Sequence, residues 1–117
     1  MSDDDINKKY EELNEKYKFE DRRFLNKNGF HSSANIVAKI HIDRYGKDAL
    51  LNISDCSRTI SLEIDLGDDK EIENTLFKLD QIIETCKGMK DKVANMYACN
   101  VEVTKLWEKY EKEKENV

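Results

Sequence analysis

The side chains able to do covalent or metal chemistry are few. There are two histidines, His31 and His41, and three cysteines, Cys56, Cys86 and Cys99. A zinc site needs such ligands at close, recurring spacings, and none of these five sits at one. A cysteine nucleophile needs a thiolate and a base. Only His41 and Cys56, on a strand and a nearby turn, could meet in that way, and a wet-face histidine beside a small turn cysteine is the plainer reading. No phosphate-cradling glycine loop of either common pattern occurs. Carboxylates are so plentiful that chance pairs carry no signal for acid–base catalysis. The expectation is no catalytic residue, no metal, no cofactor, and a chain that is not an enzyme.

Two constellations remain. The first belongs to the polar face of a sheet, where Lys39, His41, Asp43, Asn52, Ser54, Thr59, Ser61, Glu63 and Asp65 would gather. Arg44, Tyr45 and Arg58 fall at its turns. Arginine and tyrosine at the rim of a polar sheet can hold an anionic or aromatic ligand such as a nucleotide. That makes His41, Arg44, Tyr45 and Arg58 a candidate ligand or partner face. A solvated antiparallel sheet has the same composition.

The second constellation is a helical seam. Met89, Val93, Met96, Asn100, Val103, Trp107 and Tyr110 recur at 4-3-4-3-4-3 spacing. In heptad terms Met89, Met96, Val103 and Tyr110 take d, and Val93, Asn100 and Trp107 take a. Asn100 places a polar group on the seam, where asparagine can fix register and partner number. Tyr97 and Leu106 widen the stripe, which favours packing against more than one helix. These seven residues are the candidate oligomer interface.

The elements that must position both sets are legible from periodicity. Residues 3–25 read as a helix with Ile6, Tyr10, Leu13, Tyr17 and Phe24 on one stripe, interrupted at Glu20. Asp3, Asp4 and Asp5 suit its positive end, and Asn26-Lys27-Asn28-Gly29 ends it. Residues 35–45 alternate, with Ile36, Ala38, Ile40 and Ile42 facing one way. Tyr45-Gly46-Lys47-Asp48 signals a turn. A short strand at 49–54, a turn at Asp55-Cys56-Ser57 and a strand at 58–66 follow. Short connections imply an antiparallel three-stranded meander.

Asp68 and Glu71 then resemble a capping box. Ile72, Leu76, Leu79, Ile83 and Cys86 run 4-3-4-3, and this stripe is expected to cover the sheet. A step of 3 from Cys86 to Met89, where 4 was due, is a phase slip beside Gly88. Residues 69–113 as one helix would span about 67 Å, against about 30 Å for such strands. The fold predicted is α+β: an N-terminal helix, a three-stranded antiparallel β-meander, then a long helical region broken or bent near Gly88. One domain, 1–117, would hold an N-terminal helical arm (1–28), the meander (35–66) and C-terminal helices (68–113).

Composition sets the outer limits. Of 117 residues, 38% are hydrophobic and 38% charged, with no proline and four glycines. So few turn formers argue against a compact all-β fold. Apolar runs of two or three residues cannot make a membrane span, which needs roughly 20. The 25 acidic and 20 basic residues give a net charge of −5, spread evenly, so no basic block exists to bind nucleic acid. The start Met-Ser-Asp-Asp-Asp has no signal-peptide character, so a cytoplasmic location and three free, buried thiols are expected.

Lysine outweighs arginine, as in AT-rich genomes. In size, composition and lack of catalytic motifs the chain resembles phage or mobile-element accessory proteins, among them inhibitors of host defence. The resulting expectation is an oligomeric, non-enzymatic protein acting stoichiometrically on a protein partner. The alternatives are a sequestering protein for a small anionic, nucleotide-like ligand and a structural or adaptor subunit of a larger complex.

Overall fold

Ser2 starts the first helix by reciprocal capping. Its hydroxyl accepts from the Asp5 N–H and the Asp5 carboxylate accepts from the Ser2 N–H, both at 3.2 Å. In this computed structural model, which describes residues 1–30, 33–55 and 57–116, helix α1 spans Asp3–Tyr17. His31, Ser32, Cys56 and Val117 lie outside the described residues.

The helix stops eight residues before the expected end. Lys18 is extended (φ −62°, ψ 152°), and Phe19–Phe24 forms strand β1. The reason is the free edge of the next strand, β2 (Asn35–Asp43). Its backbone groups need partners, and β1 supplies them in a register running from Phe19↔Ile40 to Phe24↔Asn35. The interruption at Glu20 falls inside β1. The turn between these strands contains Gly29 at φ 96°, a left-handed conformation that glycine takes without steric cost.

Strand β3 (Gly46–Asp55) and strand β4 (Arg58–Leu62) complete the sheet. The order is β1-β2-β3-β4, with every neighbouring pair antiparallel. The meander expected at 36–66 is therefore present, with one strand added at its first edge and β4 ending at Leu62. The register places Ile36, Ile53 and Ile60 in one row and Ala38, Leu51 and Leu62 in another, the face read as apolar. The opposite face is not uniformly wet. Val37, in line with Arg22 and Asn52, is only 8% exposed.

Beyond the sheet, Asp68 Oδ1 accepts from the Glu71 N–H at 2.9 Å. The Glu71 carboxylate reaches back to the Gly67 N–H at 2.8 Å. This is the anticipated capping pair, shifted by one residue on its return arm. Helix α2 then runs Asp69–Ala94. Thr75, buried, donates its hydroxyl to the Asp65 carbonyl at 2.8 Å and so ties the helix start to the segment after β4.

The chain divides into two compact units, Met1–Leu76 and Phe77–Val117. Within the first, among the described residues, the helix packed on a strand is α1, against β2. Ile72 is half-buried and Leu76 exposed, so the start of the α2 stripe does not form the sheet cover expected of it.

The second unit holds the rest of α2 and helix α3 (Met96–Glu115). The expected bend exists, but at Asn95, seven residues beyond Gly88. Gly88 lies inside α2 with open space around it. One glycine weakens a helix by about 1 kcal/mol without breaking its hydrogen bonds. At Asn95 the ladder itself is disturbed: its N–H is shared between the Asp91 carbonyl at 3.3 Å and the Lys92 carbonyl at 3.1 Å. Such a three-centre bond brings in the tighter 3₁₀ geometry.

Candidate functional site

The β2–β3 hairpin has a two-residue tip, Arg44-Tyr45, because Asp43 pairs with Gly46. The turn lies just ahead of the predicted one, and Gly46–Asp48 belongs to β3. Asp43 builds it: its Oδ1 accepts from the Tyr45 N–H at 2.8 Å and the Gly46 N–H at 3.0 Å. This is the local bond that suits aspartate to turns. Its other oxygen lies 3.6 Å from His41 Nε2. Arg44 stacks over the Tyr45 ring, 5.6 Å from guanidinium carbon to centroid.

Helix α1 closes this corner. Beyond Ile40, β2 has no β1 partner, and the Asn14 side chain takes over by accepting from the Ile42 N–H at 2.8 Å. Arg44 donates to Asn7 Oδ1 at 3.3 Å and approaches Asp3 at 3.6 Å. The result is a hollow of about 330 Å³ where Asn7, Tyr10, Glu11 and Asn14 face His41, Asp43, Arg44 and Tyr45. A neighbouring hollow of about 540 Å³ shares Asn14 and His41 and includes Lys18, Phe19, Glu20 and Lys39. Sequence reasoning missed the α1 residues, though the spacing Asn7–Tyr10–Asn14 puts them on one helical face.

The four candidate ligand residues divide. His41, Arg44 and Tyr45 come together at the hairpin. Arg58 does not join them, because it pairs with Asp55 at the far end of the ten-residue β3, about 30 Å away along the strand. Chemically the corner offers one guanidinium already facing Asp3, with two carboxylates, Glu11 and Asp43, in the same lining. An anion would have to displace Asp3 from Arg44 and sit beside both carboxylates.

His41 is in register with Asp48, near the hairpin, and Cys56 lies outside the described residues. Cys86 and Cys99 are free thiols, but Cys86 is exposed and Cys99 half-buried rather than buried. Within their unit, among the described residues, no second layer covers these positions. Among the described residues, no group of three or more His, Cys, Asp or Glu side chains could hold a metal ion. Among the same residues, no helix is long and apolar enough to cross a membrane.

The seam residues divide between the two helices of the second unit. Met89 and Val93 fall on α2, and Met96, Asn100, Val103, Trp107 and Tyr110 on α3. All seven are exposed: Val103 at 45% and Trp107 at 58%, with Met89, Val93, Met96, Asn100 and Tyr110 in the same class. Trp107 and Tyr110 meet edge to face, with centroids 5.4 Å apart. Helix α3 has no buried residue. Exposed apolar side chains are not confined to the seam: Phe77, Ile83, Tyr97, Val101 and Leu106 on the same two helices are exposed as well.

The fold and these two surfaces define a mixed α+β chain with a hairpin corner and an apolar helical seam. No family model matches the chain, and neither the curated proteins nor the solved structures contain a match to it.

Proposed function

We propose that the protein is a non-enzymatic binding protein, assembled from copies of itself through the Phe77–Val117 unit and acting stoichiometrically on a protein partner. The observation that carries the reading is the exposed 4-3 stripe from Met89 to Tyr110 on helices with almost no buried residue. A helix gains most of its stability by packing an apolar face, and a heptad stripe is shaped to receive another helix. In its specific form the protein inhibits a host factor on behalf of a phage or mobile element. Supporting that form are the lysine-rich composition and the lack of any catalytic motif in 117 residues. Capture of a small anion at the hairpin is less favoured, because Arg44 already faces Asp3 and Asn7.

Sedimentation equilibrium of the full chain at micromolar concentration tests the assembly. The expected mass is a multiple of 13.7 kDa, returning to one chain in Val103→Asp, which places a charge within the stripe. A wild-type chain that stays at 13.7 kDa contradicts the reading.

A further inference from the structure

The positions flanking the seam carry information about orientation. With Val93, Asn100 and Trp107 at a, Lys90 falls at e and Lys92 at g, on the amino-terminal side. Glu111 falls at e and Glu113 at g, on the carboxy-terminal side. Among the described residues, none of these four charges is ion-paired within its own chain. Flanking charges set partner and orientation in helical pairs.

In a parallel pair each g position faces the e position of the following heptad. Lys92 would then face Tyr97, and Leu106 would face Glu111, with no charge matched. In an antiparallel pair e faces e and g faces g. Placing the midpoint between Val101 and Glu102 sets Lys90 against Glu111 and Lys92 against Glu113 of the second copy, and repeats both pairs by symmetry.

The same register matches large with slender side chains. Trp107 faces Met96 of the second copy, and Tyr110 faces Val93. Interdigitation of this kind fills an interface without voids, and a thioether against an aromatic ring is a favourable contact. A parallel pair would instead stack Trp107 on Trp107. Asn100 faces Val103 in the two central layers, so it contributes no polar pair to this register, and the charges and side-chain sizes carry it. The four layers from Met96 to Trp107 lie wholly within α3. The Asn95 bend falls outside them, between these layers and Lys90 and Lys92.

We infer that the occupant of the seam is a second copy of this chain, bound antiparallel about a two-fold axis near residues 101 and 102. This rests on the self-assembly proposed above and adds its orientation and register. An isologous pair of this kind is self-complementary and closed.

Charge exchange within the full-length chain tests it. Lys92→Glu and Glu113→Lys, made singly, each turn two attractive contacts into repulsive ones and are expected to weaken dimerisation about tenfold. The double variant K92E/E113K restores oppositely charged pairs and is expected to recover most of the wild-type Kd. Losses that simply add in the double variant, in a wild type that dimerises, overturn the antiparallel register and leave self-assembly standing. A wild-type chain that does not dimerise overturns both. Circular dichroism of each variant separates a lost interface from a lost helix.

Discussion

The two units of this chain solve the same problem by different means. In Met1–Leu76 the polar backbone is satisfied locally: four strands pair in sequence, Asn14 completes the edge of β2, and both helix starts are capped. Its apolar residues on β2 and β3 are mostly half-buried, while Phe24 on β1 and Ile60 on β4 are exposed. In Phe77–Val117 the helical backbone is equally satisfied, but the 4-3 stripe stays exposed. Strand pairing is made within the chain, with β1 and β4 left as its edges, whereas a heptad stripe is shaped to receive a second helix. On the proposed function, the first unit supplies stability and the second association.

The largest effect within the first unit is expected from Asn14→Ala. It leaves the Ile42 N–H without its protein acceptor, a loss of about 1–2 kcal/mol for a part-buried group. Thermal unfolding followed on the sheet signal should drop while the association constant stays put. If association weakened as well, the division of labour between the units would be wrong.

How much of this was readable beforehand depends on the type of signal. The alternation of Ile36, Ala38, Ile40 and Ile42 gave β2 its place, and the 4-3 spacing gave the second unit its helices. Strand β1 was hidden because Phe24 happens to continue the stripe of Ile6, Tyr10, Leu13 and Tyr17. What turned Phe19–Phe24 into a strand was the unpaired edge of β2, a tertiary demand with no local marker beyond Glu20. The bend was placed at Gly88 because glycine is the weak helix former there, yet the shared hydrogen bond is at Asn95. Arg44, Tyr45 and Arg58 read as one rim because each sits at a turn. Only the register shows that successive hairpins lie at opposite ends of a sheet. The α1 residues at the hairpin corner carried a weak face pattern that had no meaning until β2 ended beside them.

A smaller effect sharpens the account of the second unit. Gly88→Ala is expected to stabilise α2 by about 0.5–1 kcal/mol, since a Cβ there meets nothing within 4 Å and the helix continues through it. Helix content by circular dichroism should rise or hold, and association should be unchanged. Loss of association in this variant would return the hinge to Gly88.

The most direct test of the central claim uses the only tryptophan in the chain, Trp107, which lies on the seam and is 58% exposed in the single chain. Its fluorescence should shift to shorter wavelength as full-length protein is concentrated from nanomolar to high micromolar, following the same curve as the sedimentation mass, and Val103→Asp should abolish the shift. An emission that stays that of a water-exposed indole at every concentration would contradict the claim that a second copy covers the seam.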